Sequence, residues 1–136
     1  TLIVFCYNLS RKRRISMKYI LIKSKIKNKD EELPFEGKGT LDNEKNLIQY
    51  QDDKALLTIF LDDNIMLRET EDTILSYKFV ENEKTNFEVF LKDLKQTGFV
   101  PMKTFKINKD RESFEVIYEI EGNDFKHEFK VEWRIL

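Results

Sequence analysis

Few residues in this sequence have the types and spacing that catalysis or metal binding requires. The chain holds one histidine, His127, and one cysteine, Cys6, which make the single Cys–His pair available for nucleophilic chemistry. We do not expect that pair to form, because Cys6 lies in an N-terminal segment unlike the rest of the chain. Motifs for phosphate, zinc-protease and hydrolase sites are missing from the sequence, as is a CxxC pair. We therefore expect a protein that is not an enzyme and that has no cofactor and no metal.

Two pairs of adjacent carboxylates are suited to calcium binding or acid–base chemistry. They are Asp52-Asp53 and Asp62-Asp63. Both pairs fall between apolar runs and among polar neighbours, where aspartate is common because its side chain bonds to its own backbone. We interpret both pairs as turns.

Arg68 is the charged residue whose role depends most on the fold. It follows the apolar run Ile65-Met66-Leu67, and a strand there places it on the face of Met66, opposite or diagonal to Thr58. If that face points inward, the guanidinium must be paired or must face a wet cavity. If it points outward, the guanidinium is solvated. The sequence leaves both arrangements open.

Tyr118, His127 and Tyr77 are the other candidates for contact with a ligand. Tyr118 and His127 are predicted to be cross-strand neighbours on an apolar face. There they either hydrogen-bond to each other in a solid core or contact a ligand inside a barrel. Tyr77 shares a face with Leu75 and Phe79, and we place it in the same interior. These three side chains and the arginine make up the candidate ligand site.

A C-terminal hairpin must position two of these residues. The apolar face of its last strand comprises Phe125, His127, Phe129, Val131, Trp133 and Ile135. We expect a two-residue turn at Gly122-Asn123. That turn predicts the apolar pairs Ile120–Phe125, Tyr118–His127, Val116–Phe129 and Phe114–Val131, and the charged pairs Glu119–Lys126 and Glu115–Lys130.

The chain before this hairpin also has the pattern of strands. Apolar residues alternate in short runs, at 19–29, 33–41, 47–51, 55–61, 65–69, 74–80 and 99–109, with polar turns about eight to twelve residues apart. This spacing predicts an all-β fold, an antiparallel meander of about eight to ten strands that closes into a barrel.

One segment fits two kinds of structure. Its apolar residues Phe87, Phe90, Leu91 and Leu94 recur at helical spacing, which predicts a short helix near 86–96 that ends at Gly98. Residues 87, 89 and 91 also alternate, as in a strand. Both structures remain open at this stage.

The composition limits the class of protein. With 136 residues, 36% of them charged, and only four glycines and two prolines, the chain suits one folded domain. The lone cysteine excludes an internal disulfide and favours a reducing compartment, so we expect a cytoplasmic protein. Residues 17–136 hold 20 basic and 25 acidic residues, a balance with no general attraction for nucleic acid or anionic membrane. We expect neither as a partner.

Residues 1–16 differ from the rest. A short apolar run at 2–7 precedes the basic cluster Arg11-Lys12-Arg13-Arg14, which reverses the order in a signal peptide. We expect a leader that is not native or is disordered, followed by a single barrel domain over 17–136. The alternatives are an extra edge strand with a basic tail, and a nuclear or nucleic-acid patch.

Several residues occur in an order and spacing seen in one known family. They are Gly39-Thr40, Tyr50 before an acidic pair, Thr58, Arg68, Phe79, Gly98 followed by Lys103-Thr104, and Tyr118. In this order they resemble the YwiB-like family of small bacterial proteins, a domain of unknown function. Two features depart from the family: Glu69-Thr70 replaces a glycine after the arginine, and the segment over 79–98 is longer.

The resemblance implies a calycin- or lipocalin-like β-barrel, a cytoplasmic setting, a start near Met17 and no established activity. Small barrels are either filled by side chains or hold one small ligand. We therefore expect a barrel that binds a small apolar or amphipathic molecule. The alternative is a protein–protein interaction module with a solid core and an outer apolar patch, to which Phe60, Met66 and Ile117 contribute. Acid–base chemistry at the barrel mouth is the third option. The oligomeric state stays open.

Overall fold

A computed structural model describes residues 17–136, which form a closed antiparallel barrel of ten strands. The strands are β1 Met17–Asn28, β2 Glu31–Asp42, β3 Leu47–Gln51, β4 Leu56–Phe60, β5 Ile65–Glu69, β6 Thr73–Lys78, β7 Lys84–Leu91, β8 Gln96–Asp110, β9 Ser113–Ile120 and β10 His127–Ile135. Each strand pairs with the next along the chain, and β10 pairs with β1. The predicted all-β meander that closes into a barrel is therefore confirmed. The predicted leader, the alternative edge strand and Cys6 lie outside the described residues.

The helix predicted near 86–96 is wrong. Strand β7 ends at Leu91, a turn covers 92–95, and β8 begins at Gln96. Alternation prevails over helical spacing because β7 has a partner on each side, β6 and β8. A helix there would leave the backbone groups of both neighbours unpaired. Gly98, expected to end the helix, lies within β8. Residues 17–136 contain no helix that is long and apolar enough to cross a membrane.

The register predicted for the C-terminal hairpin is confirmed, and the connection differs. Strands β9 and β10 contain the pairs Tyr118–His127, Val116–Phe129, Phe114–Val131 and Glu115–Lys130. The ladder stops at Tyr118–His127, so the predicted pairs Ile120–Phe125 and Glu119–Lys126 are wrong. Residues 121–126 form the loop, where Gly122 has φ 98 and the N–H of Asn123 donates to the carbonyl of Ile120 at 3.0 Å. Glycine suits that position because other residues rarely adopt a positive φ.

The two ends of the barrel differ in how completely they are filled. We call the end with the turns 43–46, 61–64, 79–83 and 111–112 the sealed end, and the end with the turns 29–30, 52–55, 70–72, 92–95 and 121–126 the open end. Near the sealed end, Ile59, Phe79 and Phe114 are at most 1% exposed. Near the open end, six inward side chains are only partly buried: Ile26, Phe35, Leu75, Val89, Val100 and Ile120. We call these six the apolar wall. Inward side chains are therefore less covered near the open end than near the sealed end, where Ile107 alone of the partly buried set lies.

Candidate functional site

Arg68 lies inside the barrel, on β5 near the open end. It pairs with Leu57 of β4 and with Leu75 of β6, which both face inward. Of the two orientations that the sequence left open, the structure has the inward one, on the same face as Met66. The predicted position opposite or diagonal to Thr58 is wrong, because Thr58 pairs with the residue before Arg68, on the outer face.

The guanidinium of Arg68 has no carboxylate partner among residues 17–136. Its Nε is buried and makes no hydrogen bond. Glu69, the next residue in the sequence, binds the Nζ of Lys92 at 2.7 Å. Asp52, whose charge acts on Tyr50 as that of Arg68 does, accepts the backbone N–H of Ala55 at 2.8 Å. A buried charged group costs free energy unless it is paired. Arg68 is therefore a half-buried, inward-facing cation that has no ion pair among the described residues and whose Nε has no acceptor.

Three tyrosines lie within the electrostatic field of Arg68. Burial raises the pKa of Tyr50, Tyr77 and Tyr118, and the positive charge of Arg68 opposes that rise in each case. The Ser24 hydroxyl also lowers the pKa of Tyr50, although the hydroxyl of Tyr50 is buried without a hydrogen bond of acceptable geometry. Raised pKa values keep the three phenols protonated near neutral pH, so each hydroxyl is a hydrogen-bond donor.

His127 lies at the rim of the open end, and both of its ring nitrogens are hydrogen-bonded. Its Nδ1 donates to Oδ1 of Asn28 at 2.5 Å, and its Nε2 accepts from Nδ2 of Asn123 at 3.2 Å. This assignment fits the neutral imidazole with the proton on Nδ1. Burial lowers the pKa of His127, and Glu119 opposes that effect. The predicted pairing with Tyr118 is confirmed, but the rings stack at 5.1 Å, and the hydrogen bonds go to asparagines.

Three of the four predicted ligand-site residues form one series of ring contacts centred on Tyr118, and Arg68 lies beside it. Its ring lies 5.8 Å from that of Tyr77 and 5.1 Å from that of His127, so these three pack continuously. Arg68 lies on the Tyr77 side of this stack, where its charge acts on Tyr77 and Tyr118. The pKa of His127 responds to burial and to Glu119. The chemistry of the interior is therefore centred on Arg68, and His127 is a structural residue of the rim.

Two interior polar residues were not predicted from the sequence. Tyr50 lies on β3, where its ring stacks on Phe35 at 5.7 Å. The alternation of Ile48 and Tyr50 was a signal that could have identified it. Thr104 lies on β8 across from Tyr118, and its Oγ1 is buried without a hydrogen bond. A bulge directly after Thr104 changes the alternation of β8, so no periodic signal was available for it.

Two glycines show where the interior is filled and where it is open. A Cβ added to Gly39 of β2 would lie 2.6 Å from Cδ1 of Ile22 and 2.7 Å from the carbonyl oxygen of Gln49. Gly98 of β8 pairs with the inward residue Val89, and a Cβ added there would meet nothing within 4 Å. The inward side of β8 at the open end is therefore unoccupied by protein atoms.

The remaining candidates have structural roles. Asp52 accepts backbone N–H groups of its own turn, and Asp62 accepts from Nδ2 of Asn46 at 2.7 Å, as the interpretation of these residues as turns requires. Within the described part of the chain, no group of three or more His, Cys, Asp or Glu residues is placed to hold a metal ion. Met66 faces inward and is 3% exposed, so its predicted place in an outer patch with Phe60 and Ile117 is wrong.

Two depressions on the surface lie away from Arg68. One is lined by residues of β1, β2, β10 and the 111–112 turn, including Trp133, and the other by Lys18, Tyr19, Lys38, Ile135 and Leu136. Both are open to solvent. None of the four predicted ligand-site residues lines either of them.

Comparison with solved structures relates this barrel to the crystal structure of the YwiB protein from Bacillus subtilis. The two share a TM-score of 0.60 and 13% sequence identity, over 89% of this chain and 92% of that one. No family model and no curated protein matches this sequence. At this identity the similarity concerns the fold alone. The chain therefore has a YwiB-like barrel fold.

Proposed function

We propose that this protein is a cytoplasmic, non-enzymatic barrel of the calycin type that binds one small apolar or amphipathic molecule through its open end. The proposal rests mainly on the difference in side-chain burial between the two ends of the barrel. Most inward side chains near the sealed end are buried, with Ile107 of β8 as an exception, whereas the apolar wall near the open end is only partly buried. A pocket with apolar walls and few polar groups is the usual composition of a small-molecule site.

A protein-interaction role is the alternative, and it rests on exposed apolar side chains outside the barrel. Leu94 and Phe99, near the turn between β7 and β8, are 63% and 58% exposed. Tyr19, Ile135 and Leu136 are similarly exposed elsewhere on the surface. Single exposed apolar residues are common in monomers. The closed barrel also offers no free strand edge to a partner among the described strands. The interior site is therefore the better-supported proposal.

The experiment is a fluorescence titration with N-phenylnaphthylamine, a neutral apolar probe. We expect saturable binding at one site. Gly98→Leu should weaken binding at least about tenfold, because the new side chain enters the open space at the mouth and removes about 1.4 kcal/mol or more of binding free energy. The melting temperature of this variant should not fall, since a Cβ at that position meets no neighbour within 4 Å.

Phe99→Leu is the matched control, because it changes the adjacent residue on the outer face of the same strand. We expect it to bind the probe like the wild-type protein. Loss of binding in Phe99→Leu with normal binding in Gly98→Leu would place the probe on the outer surface and support the interaction role. Absence of saturable binding to the wild-type protein would overturn the proposal.

A further inference from the structure

We propose, on the basis of the binding function above, that the ligand is an amphipathic molecule with one anionic head group, which Arg68 binds inside the barrel. The starting observation is an inward arginine whose Nε is buried without an acceptor. Its neighbours on the adjoining strands, Leu57 and Leu75, are apolar and cannot accept its hydrogen bonds. An anion from solution supplies both the charge and the acceptors that the chain lacks.

The guanidinium selects for an oxyanion because its planar donors match the two oxygens of a carboxylate or one face of a phosphate. The tyrosines strengthen this selection. Tyr50 and Arg68 pair with the same residue, Leu57, from opposite sides. Tyr77 lies two residues from Leu75, the partner of Arg68 on β6. The charge of Arg68 also opposes the raised pKa of both tyrosines and of Tyr118, and protonated phenols donate hydrogen bonds. Nε of Arg68 is buried without a hydrogen bond, and the buried hydroxyl of Tyr50 has the Ser24 hydroxyl near it but makes no hydrogen bond of acceptable geometry. Donors that converge in this way favour an acceptor-only group and disfavour a cation.

The apolar wall determines the rest of the ligand. Two of its members, Leu75 and Val89, lie in register with Arg68 on the next two strands, so a head group at Arg68 places its attached chain against the wall. Burial of that chain against apolar side chains adds hydrophobic binding free energy. The ligand is therefore amphipathic, with its charged end at Arg68.

The charge of the rim limits the ligand to a single negative charge. The turns of the open end carry more acidic than basic residues, among them Asp30, Asp52, Asp53, Glu71 and Asp72. This rim does not attract anions at a distance, and Arg68 is the one arginine on the inner face of the described strands. A polyphosphate or a nucleic acid would need several cations, whereas a monoanion with an apolar chain needs one.

The test uses two probes with the same ring system. Anilinonaphthalene sulfonate carries a negative charge, and N-phenylnaphthylamine does not. We expect Arg68→Met to weaken the sulfonate probe at least about tenfold, the scale of a lost hydrogen bond to a charged group, and to leave the neutral probe unchanged. Tyr50→Phe removes one hydroxyl with little risk to folding and should weaken only the sulfonate probe.

Arg111→Met is the matched control, because it removes the same charge at an exposed turn of the sealed end. It should bind both probes as the wild-type protein does. Displacement of the neutral probe then identifies the head group. Decanoate and decyl phosphate should compete better than decanol against the wild-type protein and no better than decanol against Arg68→Met, and whichever of the two competes at lower concentration indicates a carboxylate or a phosphate head.

The outcomes separate this inference from the function on which it rests. If the neutral probe binds and neither Arg68→Met nor Tyr50→Phe discriminates between the two probes, the barrel binds ligands but Arg68 is not an anion site. If the Arg111 variant loses the sulfonate probe and the Arg68 variant keeps it, the probe binds outside the barrel. If neither probe binds the wild-type protein, both proposals are overturned.

Discussion

Arg68 faces Leu57 across the β4–β5 ladder, so a guanidinium lies beside a side chain that is 1% exposed. Neither neighbour on the adjoining strands offers an acceptor, and Nε of the arginine is left without one. Residues that serve folding alone do not normally leave a buried charge unpaired. At this pair of residues, stability favours an apolar side chain, whereas the proposed ligand binding requires the arginine.

Arg68→Met should not destabilise the ligand-free protein. Removal of an unpaired charge from the interior relieves its desolvation cost, while the methionine keeps most of the packing. We expect the free energy of unfolding, measured by urea denaturation, to stay the same or to rise by about 1 kcal/mol. A loss of about 2 kcal/mol or more would show that Arg68 has a stabilising partner in the folded protein.

The last strand should show strong alternation in its sensitivity to truncation. Phe129 and Trp133 are 1% and 6% exposed, so replacement of either by alanine should cost about 3–5 kcal/mol of unfolding free energy. Lys130 lies between them on the outer face, with 49% of its side chain exposed and Glu132 at 3.1 Å. Its replacement by alanine should cost less than about 1 kcal/mol. Equal costs at Phe129 and Lys130 would contradict the assignment of faces.

Two glycine-to-alanine substitutions should have opposite effects. In Gly39→Ala the new Cβ meets the backbone oxygen of Gln49, which cannot move without shifting β3, so we expect a loss of about 1–3 kcal/mol. In Gly98→Ala the Cβ meets nothing within 4 Å, and alanine lowers the entropy of the unfolded chain. That variant should gain up to about 1 kcal/mol. Thermal melts of both variants check this, and a destabilised Gly98→Ala would show that the open end is packed.

His127 should make the folded protein less stable as the solution becomes more acidic. Its pKa is lowered in the folded protein from the ordinary value of 6.5, so the unfolded chain binds a proton more readily than the folded one. The contribution of His127 is fully present above pH 6.5 and is lost as the pH falls through the lowered pKa. His127→Phe keeps the ring against Tyr118 and should lack this loss. Urea denaturation of both proteins across that range should show the wild-type protein losing stability relative to the variant as the pH falls. Parallel curves would be inconsistent with a neutral His127 in the fold.

The local alternation of apolar and polar residues was sufficient to predict most of the strands and the buried face of the last hairpin. Alternation with a period of two assigns each side chain to one of two faces, and one apolar face must be buried. This is why the pairs of Tyr118 with His127 and of Val116 with Phe129 follow from the sequence, although the connecting loop is longer than a two-residue turn. The same pattern failed over 86–96, where apolar residues satisfy both periods. In that segment the strand forms instead of the helix because the backbone groups of β6 and β8 pair with it.

The tertiary structure alone decided the environment of Arg68 and the partners of His127. Alternation places Arg68 with Met66, but closure of the barrel determines which face is inside and whether a carboxylate reaches it. The hydrogen bond between His127 and Asn28 joins residues 99 positions apart, because β10 returns to pair with β1. No local signal carries that information. Contacts across the closure depend on the register of ten strands together, so the polar chemistry of the interior is a property of the closed barrel and not of any single segment.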